Sequence, residues 1–270
     1  MLDGGISDES KSRLLASWSF PGAAVSVQWI KPDPFLVDDL QISRHINLIT
    51  YYRLLMPSVL PADVERVIFL DADLLVRRDT SELWDADSQG AACLAAADTA
   101  APYLNARLSL PNFAYCHRFL AAAEPVPNYC ELGLPETGKY FNAGVLVVDL
   151  KQWRELALAE QAFGCLREHS VHVRWWDQYA LNVVLAGRWQ ELDARWNQGV
   201  HAYTFPSAKE SPHTPDIFHS LRRDPWIVHF TSHHKPWQYF CRHPLRDDYF
   251  QAIDRPPGKA GGRHSRATAA

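Results

Sequence analysis

This chain is poor in the features that mark several large classes of protein. Its 27 Lys and Arg do not outnumber its 31 Asp and Glu, and the net charge of −4 supplies no basic footprint for nucleic acid. No apolar run approaches the length of a membrane span, and no N-terminal signal pattern is visible. The five cysteines, Cys93, Cys116, Cys130, Cys165 and Cys241, are scattered without a CxxC pair. That argues against a structural zinc site and points to free thiols in a reducing compartment, the cytoplasm. There is no internal repeat. What the chain does have is apolar stock. A hydrophobic fraction of 47% supports a substantial core, and 270 residues allow one large domain or two small ones. Ten tryptophans is a high count. Sugars stack on aromatic faces, but the plainer reading of most of these rings is core or cover.

The most informative stretch is Val67-Ile68-Phe69-Leu70-Asp71-Ala72-Asp73-Leu74-Leu75-Val76. Its apolar residues read as a buried strand. In a strand, Asp71 and Asp73 point to the same face. Two like charges at the mouth of an apolar sheet repel unless a cation sits between them, and Mg²⁺ or Mn²⁺ is the natural candidate. Ligands also bind at the carboxyl ends of strands in open α/β sheets. D-x-D is nevertheless common by chance, and the plainer reading is a solvated strand end or a cap.

Along the chain, Ser7 to Ser17 reads as a helix with acids in its first turn. Val25–Trp29 reads as a short strand, and Asn47–Met56 as a helix ended by Pro57. Asp79–Trp84 is a short capped helix, and Ala91–Ala97 a second buried strand ending at Asp98. Thr99–Lys139 has no clear period, and such long loops are usually functional or mobile. Val145–Leu150 is another buried strand, preceded by Asn142 and Gly144 in a turn. Trp153–His169 and Gln178–Ala186 read as helices and Trp226–Phe230 as a late strand. Strands alternating with helices predict an α/β fold with a largely parallel sheet. Residues 1–255 are expected to form one domain. Residues 256–270, rich in Gly, Pro, Ala and Arg, are expected to be a disordered tail.

Three further constellations carry chemistry. His229 lies among apolar residues at a strand end, where it is either a hydrogen-bonded core residue or a neutral nitrogen ligand complementing two carboxylates. Lys235 is either a solvated loop lysine or a point charge for a diphosphate. Asp177-Gln178 at a helix start can cap the helix or present polar atoms to a ligand. Asn142 and Gly144 can be no more than a turn.

Together these blocks resemble a retaining glycosyltransferase of family 8, the family of bacterial lipopolysaccharide galactosyl- and glucosyltransferases and of glycogenin. The matching blocks are Leu2–Ser7, Ile49–Leu54, Val67–Val76 with Leu83-Trp84-Asp85, Tyr140–Leu150 with Trp153-Arg154, Asp177–Asn182 and His229–Trp237. They follow the family's order and cover the chain up to about Trp237. The resemblance implies a GT-A fold, a Rossmann-like nucleotide-diphospho-sugar transferase with a mixed, mainly parallel sheet that takes a UDP-sugar with Mn²⁺ or Mg²⁺. It implies metal ligands at Asp71, Asp73 and His229. It implies donor contacts at Arg53, Asp71, Ala72, Asp98, Lys235 and Ser232. It places Gln178, Asn142 and Asp177 at the reacting centre, Gln178 opposite the leaving UDP. An amide is a poor nucleophile, so front-face attack needs fewer special groups than a covalent intermediate.

The chain departs from the family in three places. It begins at Met1-Leu2-Asp3-Gly4-Gly5, matching a point inside the family's domain. The first strand and the acidic loop that holds uracil are therefore expected to be missing, through a start placed late or a degenerate copy. The family's glycine near the diphosphate is Ser232, beside His233 and His234. The acid that often follows the Asp-Gln pair is Tyr179, which weakens a double displacement. The acceptor, a saccharide or glycolipid, is expected to meet Thr99–Lys139 and the region of Trp237 and Tyr239. Lys259, Arg263 and Arg266 are too few to argue more than weak association with a membrane surface. Two alternatives stand beside this reading. One is a catalytically impaired member that binds sugars without turnover. The other is a phosphatase of the haloacid dehalogenase type, which wants D-x-D-x-T where this chain has Leu74-Leu75.

Overall fold

The structure, a computed structural model, describes residues 1–17, 26–41 and 48–254. Among these, seven strands follow in chain order: β1 (Arg66–Leu70), β2 (Leu74–Val76), β3 (Cys93–Ala97), β4 (Phe141–Asp149), β5 (Trp189–Glu191), β6 (Gln198–Gly199) and β7 (Ile227–His229). One sheet has the order β1-β4-β3-β5 and the other β2-β7-β6. β4 runs antiparallel to β1 and β3, and β5 parallel to β3. β2 is antiparallel and β6 parallel to β7.

β4 is buried almost throughout, which accounts for its unbroken apolar run. Its alternation sends side chains to two cores. Leu146 and Val148 join Cys93, Ala95, Trp153, Ala162 and Leu181 on one face. Val145 and Val147 join Leu83, Leu94, Trp196 and Ile227 on the other. The helices Leu150–Glu155, Leu158–Glu168 and Asp177–Val184 cover the first face. Asp149 caps the first of them by accepting Gln152 N–H at 2.8 Å, and Trp153 Nε1 donates to Ala92 O at 3.0 Å. Arg154 then ties down the helix end and loop over 57–64 by donating to the carbonyls of Pro57, Leu60, Pro61, Ala62 and Val64.

The mixed sheet agrees with expectation, but a parallel majority does not hold among the described strands. The chain between β3 and β4 is a long segment of short turns rather than one crossover helix, so β4 returns antiparallel. Residues 66–76 are not one strand. Asp71, Ala72 and Asp73 form a turn that hands the chain from one sheet to the other. Strand alternation is therefore not why the two carboxylates converge. Asn142 and Gly144 lie inside β4 and not in a turn before it.

Other boundaries shift for local reasons. Residues 48–55 form a 3-10 helix, and Pro57 sits in the first turn of the following helix Met56–Val59, where its missing N–H costs nothing. The expected 153–169 helix breaks at Ala157, whose φ is 49°. Residues 26–29 are not a strand, Val25 lies outside the described residues, and Ile30 makes a lone parallel bridge to Leu2. Residues 99–139 hold the short helices Ala106–Ser109 and Phe113–Cys116 around a small core of Ala106, Leu110 and Cys116. The helices Pro215–Arg223 and Arg246–Ile253 and the strands β5 and β6 had no clear sequence signal. The expected tail, 256–270, lies outside the described residues. No described helix is long and apolar enough to cross a membrane.

Candidate active site

The turn between β1 and β2 is pinned from both sheets. Asp71 N–H donates to Gly144 O at 2.9 Å, and Phe230 N–H donates to Asp73 O at 3.0 Å. His229 ends β7 opposite Leu74. Its Nε2 lies 3.3 Å from Asp73 Oδ1 and 3.8 Å from Asp71 Oδ2. One ligand atom from each of these three residues falls within 4.8 Å of the others, which makes a possible Asp-Asp-His metal site. Gly144 lets the imidazole lie against β4. A Cβ there would stand 2.7 Å from His229 Nδ1 and 2.9 Å from Asp71 Oδ2, too close for either.

Arg53 holds this centre from behind. It is buried, donates to Asp71 Oδ1 at 2.8 Å and to Ala143 O, and forms an ion pair with Asp177 Oδ2 at 2.9 Å. Thr50 Oγ1 donates to Asp177 Oδ1 at 2.9 Å. Asp177 thus does not cap its helix, whose N-cap Trp176 makes no side-chain bond. Trp175 and Trp176 both take left-handed backbone, φ 55° and 50°, where they line the site. Burial pushes the carboxyls of Asp71 and Asp177 above the ordinary range, with Arg53 pulling the other way. Burial also opposes the charge on Asp73, but His229 and Lys235 outweigh it and hold that carboxyl below its ordinary value.

Asp98 is the second hub. Its Oδ2 accepts from Asn142 Nδ2 at 3.0 Å and Gln178 Nε2 at 2.9 Å, and its Oδ1 accepts from Ala100 N–H at 2.8 Å. Gln178 Oε1 accepts from Ala143 N–H at 3.1 Å. These groups, the Asp-Asp-His cluster, Ser232 and Lys235 line one cavity of ≈ 450 Å³. Lys235 Nζ donates to Asp73 Oδ2 and to Phe230 O. Ser232 Oγ accepts from His234 N–H at 3.2 Å. Ala72 is exposed at the tip of its turn and is not among the lining residues. Ala100 and Ala121 bring the 99–139 segment to the cavity, whereas Trp237 and Tyr239 are exposed beyond it. Sequence reasoning missed Thr50, Asn197 and His201, which also line the cavity. Asn197 ends a 3-10 turn, Ala194–Asn197, with no motif around it. Burial lowers the pKa of His201, with the Asp98 charge opposing.

Comparison with known proteins agrees with this geometry. The model of Glycosyl transferase family 8 matches residues 9–241. General stress protein A of Bacillus subtilis (strain 168) is 32% identical over 264 residues, 93% of this chain and 79% of that protein. Lipopolysaccharide 1,2-glucosyltransferase of Escherichia coli (strain K12) is 26% identical over 211 residues, 77% of this chain and 55% of that protein. The chain thus spans about half the length of that relative, and 46% of the Streptococcus pneumoniae glycosyltransferase GlyF. The crystal structure of the galactosyltransferase LgtC with donor and acceptor sugar analogs shares the fold. Its TM-score is 0.73 at 23% identity, over 93% of this chain and 82% of that one. The phosphatase alternative falls with these matches, and Asp71, paired to Arg53, is not a free nucleophile. A GT-A fold, a cavity floored by two aspartates and a histidine, and a family match over most of the sequence agree: this chain belongs to glycosyl transferase family 8 and is a glycosyltransferase.

Proposed function

We propose that this chain moves a hexose, galactose or glucose, from a UDP-sugar to a saccharide or glycolipid acceptor, retaining the anomeric configuration and using Mn²⁺ or Mg²⁺. The carrying observation is that Asp71, Asp73 and His229 converge in the same cavity as Lys235 and the Gln178 amide. Two carboxylates and an imidazole nitrogen form a donor set that suits Mn²⁺ better than Ca²⁺. Asp71, Asp73 and His229 would hold such a cation, which when bound would supply positive charge against a departing diphosphate. Lys235, whose Nζ donates to Asp73 Oδ2, adds an ammonium to the same cavity, where it would offset negative charge on the leaving group. Arg53, fully engaged with Asp71, Asp177 and Ala143, orients the carboxylates.

Retention follows a front-face route in this reading. The bond from the anomeric carbon to the UDP oxygen breaks, the acceptor oxygen bonds to that carbon, and the acceptor proton passes to a phosphate oxygen. Gln178 is uncharged and its Oε1 is already committed to Ala143 N–H. Asp177 is buried between Arg53 and Thr50. Neither is a free nucleophile. Relatives named as lipopolysaccharide glucosyltransferases support a glycolipid-type acceptor. The free cysteines support a reducing compartment, and the cytoplasm with weak membrane-surface association is the location proposed.

The test is UDP release from UDP-galactose and UDP-glucose with Mn²⁺, with and without EDTA, alongside calorimetry of UDP binding. Metal-dependent release is expected, with product anomer read by NMR. Failure to bind UDP in the presence of Mn²⁺ overturns the donor assignment, and an inverted product overturns retention. Binding without turnover across donors and acceptors favours the impaired, sugar-binding reading.

A further inference from the structure

His229 can serve a metal through Nε2 only if that nitrogen is bare and Nδ1 carries the proton. The neighbours of the ring decide which tautomer is present. His229 Nδ1 lies 2.8 Å from Asn197 Oδ1. That oxygen can only accept, provided the Asn197 amide is this way round. Its orientation follows from the next residue. Asn197 Nδ2 meets Asn142 Oδ1 at 2.9 Å. Asn142 Oδ1 is identified as the oxygen because Gly144 N–H donates to it at 3.0 Å. Asn142 Nδ2 in turn faces Asp98 Oδ2, an acceptor. A backbone N–H within β4 therefore sets the Asn142 amide, the Asn142 amide sets Asn197, and Asn197 sets the proton on His229.

We propose that Asn197 is a positioning residue that holds His229 as the Nδ1–H tautomer, with its Nε2 lone pair turned toward Asp71 and Asp73. This rests on the metal reading of the same site. The relay has a second consequence. It joins the metal-facing imidazole to Asp98 and Gln178 through side-chain amides of fixed sense, so the two halves of the cavity share one hydrogen-bond order. Turning over either amide would set donor against donor or acceptor against acceptor, with no water needed to explain the present order.

The test uses the full chain with ¹⁵N-labelled histidine. Long-range ¹H–¹⁵N spectra with saturating Mg²⁺, which is diamagnetic, read which ring nitrogen of His229 carries the proton, because without a cation Asp73 Oδ1 at 3.3 Å is itself an acceptor for an Nε2–H. Calorimetry reads Mn²⁺ affinity without any sugar. Wild type is expected to show Nδ1–H. Asn197→Leu, which removes the acceptor, is expected to shift His229 toward Nε2–H and to weaken Mn²⁺ binding by about 10- to 100-fold, the range for lost outer-shell partners. Asn197→Asp keeps an acceptor at Nδ1 and is expected to restore the tautomer and most of the affinity. Mn²⁺ affinity of Asn197→Leu within about twofold of wild type, well below that range, overturns the proposal. So does an Nε2–H ring in wild type, a result that needs no variant to fold. Absence of Mn²⁺ binding by wild type counts instead against the metal reading, so the two failures are distinguishable.

Discussion

Lys235 reaches across the cavity floor to Asp73, its Nζ 2.5 Å from Oδ2 and 2.8 Å from Phe230 O. The lysine thus shares a carboxylate with the Asp-Asp-His cluster while facing the same cavity. Lys235→Ala should separate the two roles. Loss of a fixed charge aimed at the leaving group is expected to reduce kcat/KM for the UDP-sugar by about 10²- to 10³-fold. Mn²⁺ affinity should hold or rise, because Asp73 loses a competing partner. Steady-state kinetics beside metal calorimetry checks this, and a parallel loss of both would refute the separation.

Asp73→Asn should act on the metal more than on the fold. The Asp73 backbone carbonyl still accepts from Phe230 N–H, so the turn stays pinned. Mn²⁺-dependent UDP binding is expected to disappear from calorimetric traces, with the melting temperature little changed.

Gly144→Ala inserts a methyl group where the His229 ring and Asp71 Oδ2 lie. Overpacking of this kind costs about 1–3 kcal/mol. The ring is expected to yield before the sheet does, so Mn²⁺ affinity should fall by about tenfold or more. Unchanged metal affinity would mean that the imidazole is not seated on β4.

Gln178→Ala removes the amide that joins Asp98 to Ala143 N–H. The front-face reading assigns it positioning and no covalent bond. A drop in kcat of about 10- to 10²-fold is expected, as for a group displaced from its productive geometry. A trapped sugar adduct on wild-type Gln178, detected by mass spectrometry, would contradict the front-face route.

His243 is buried, its Nδ1 accepts from Leu245 N–H at 3.1 Å, and burial lowers its pKa to about 4. From the ordinary histidine value of about 6.5 down to this value, the unfolded chain takes up a proton that the folded chain refuses. Stability therefore falls as pH drops through this window and levels off below it. Burial also lowers the pKa of His213 to about 4, and it acts in the same direction. His243→Phe keeps the edge-on packing against Phe230 and Tyr203. It should lower the whole curve through the lost acceptor but remove about 2–3 kcal/mol of its acid slope, as read from urea titrations at several pH values.

Motifs carried most of the site, and geometry carried the reasons. Asp71, Asp73, His229, Lys235, Asn142, Gln178 and Arg53 could be named because each lies in a block with a recognisable order, and Asp98 because it ends a buried apolar strand. Asn197 could not, because its contacts with His229 and Asn142 span 32 and 55 residues. The apolar run of β4 announced a buried strand. It could not announce that its neighbours run against it, since alternating strands and helices constrain direction only where one helix makes the crossover. The D-x-D convergence was foreseen through strand alternation, yet it arises from a turn held between two sheets. Pro57 misled for a related reason: a proline that ends one helix pattern also begins another.

Three consecutive residues of β4 bond to five of the groups around the cavity described above. The Asn142 side chain meets Asp98 and Asn197, Ala143 offers its carbonyl to Arg53 and its N–H to Gln178, and Gly144 gives its carbonyl to Asp71. The next residues, Val145 to Val148, are the middle of both cores. The site and the fold are therefore measured along one ruler. A sliding of β4 by a single position would exchange the two cores and, in the same movement, scatter the cavity's groups. Errors in folding and losses of activity would then arrive together, and a molecule that has closed its sheet has already aligned its chemistry.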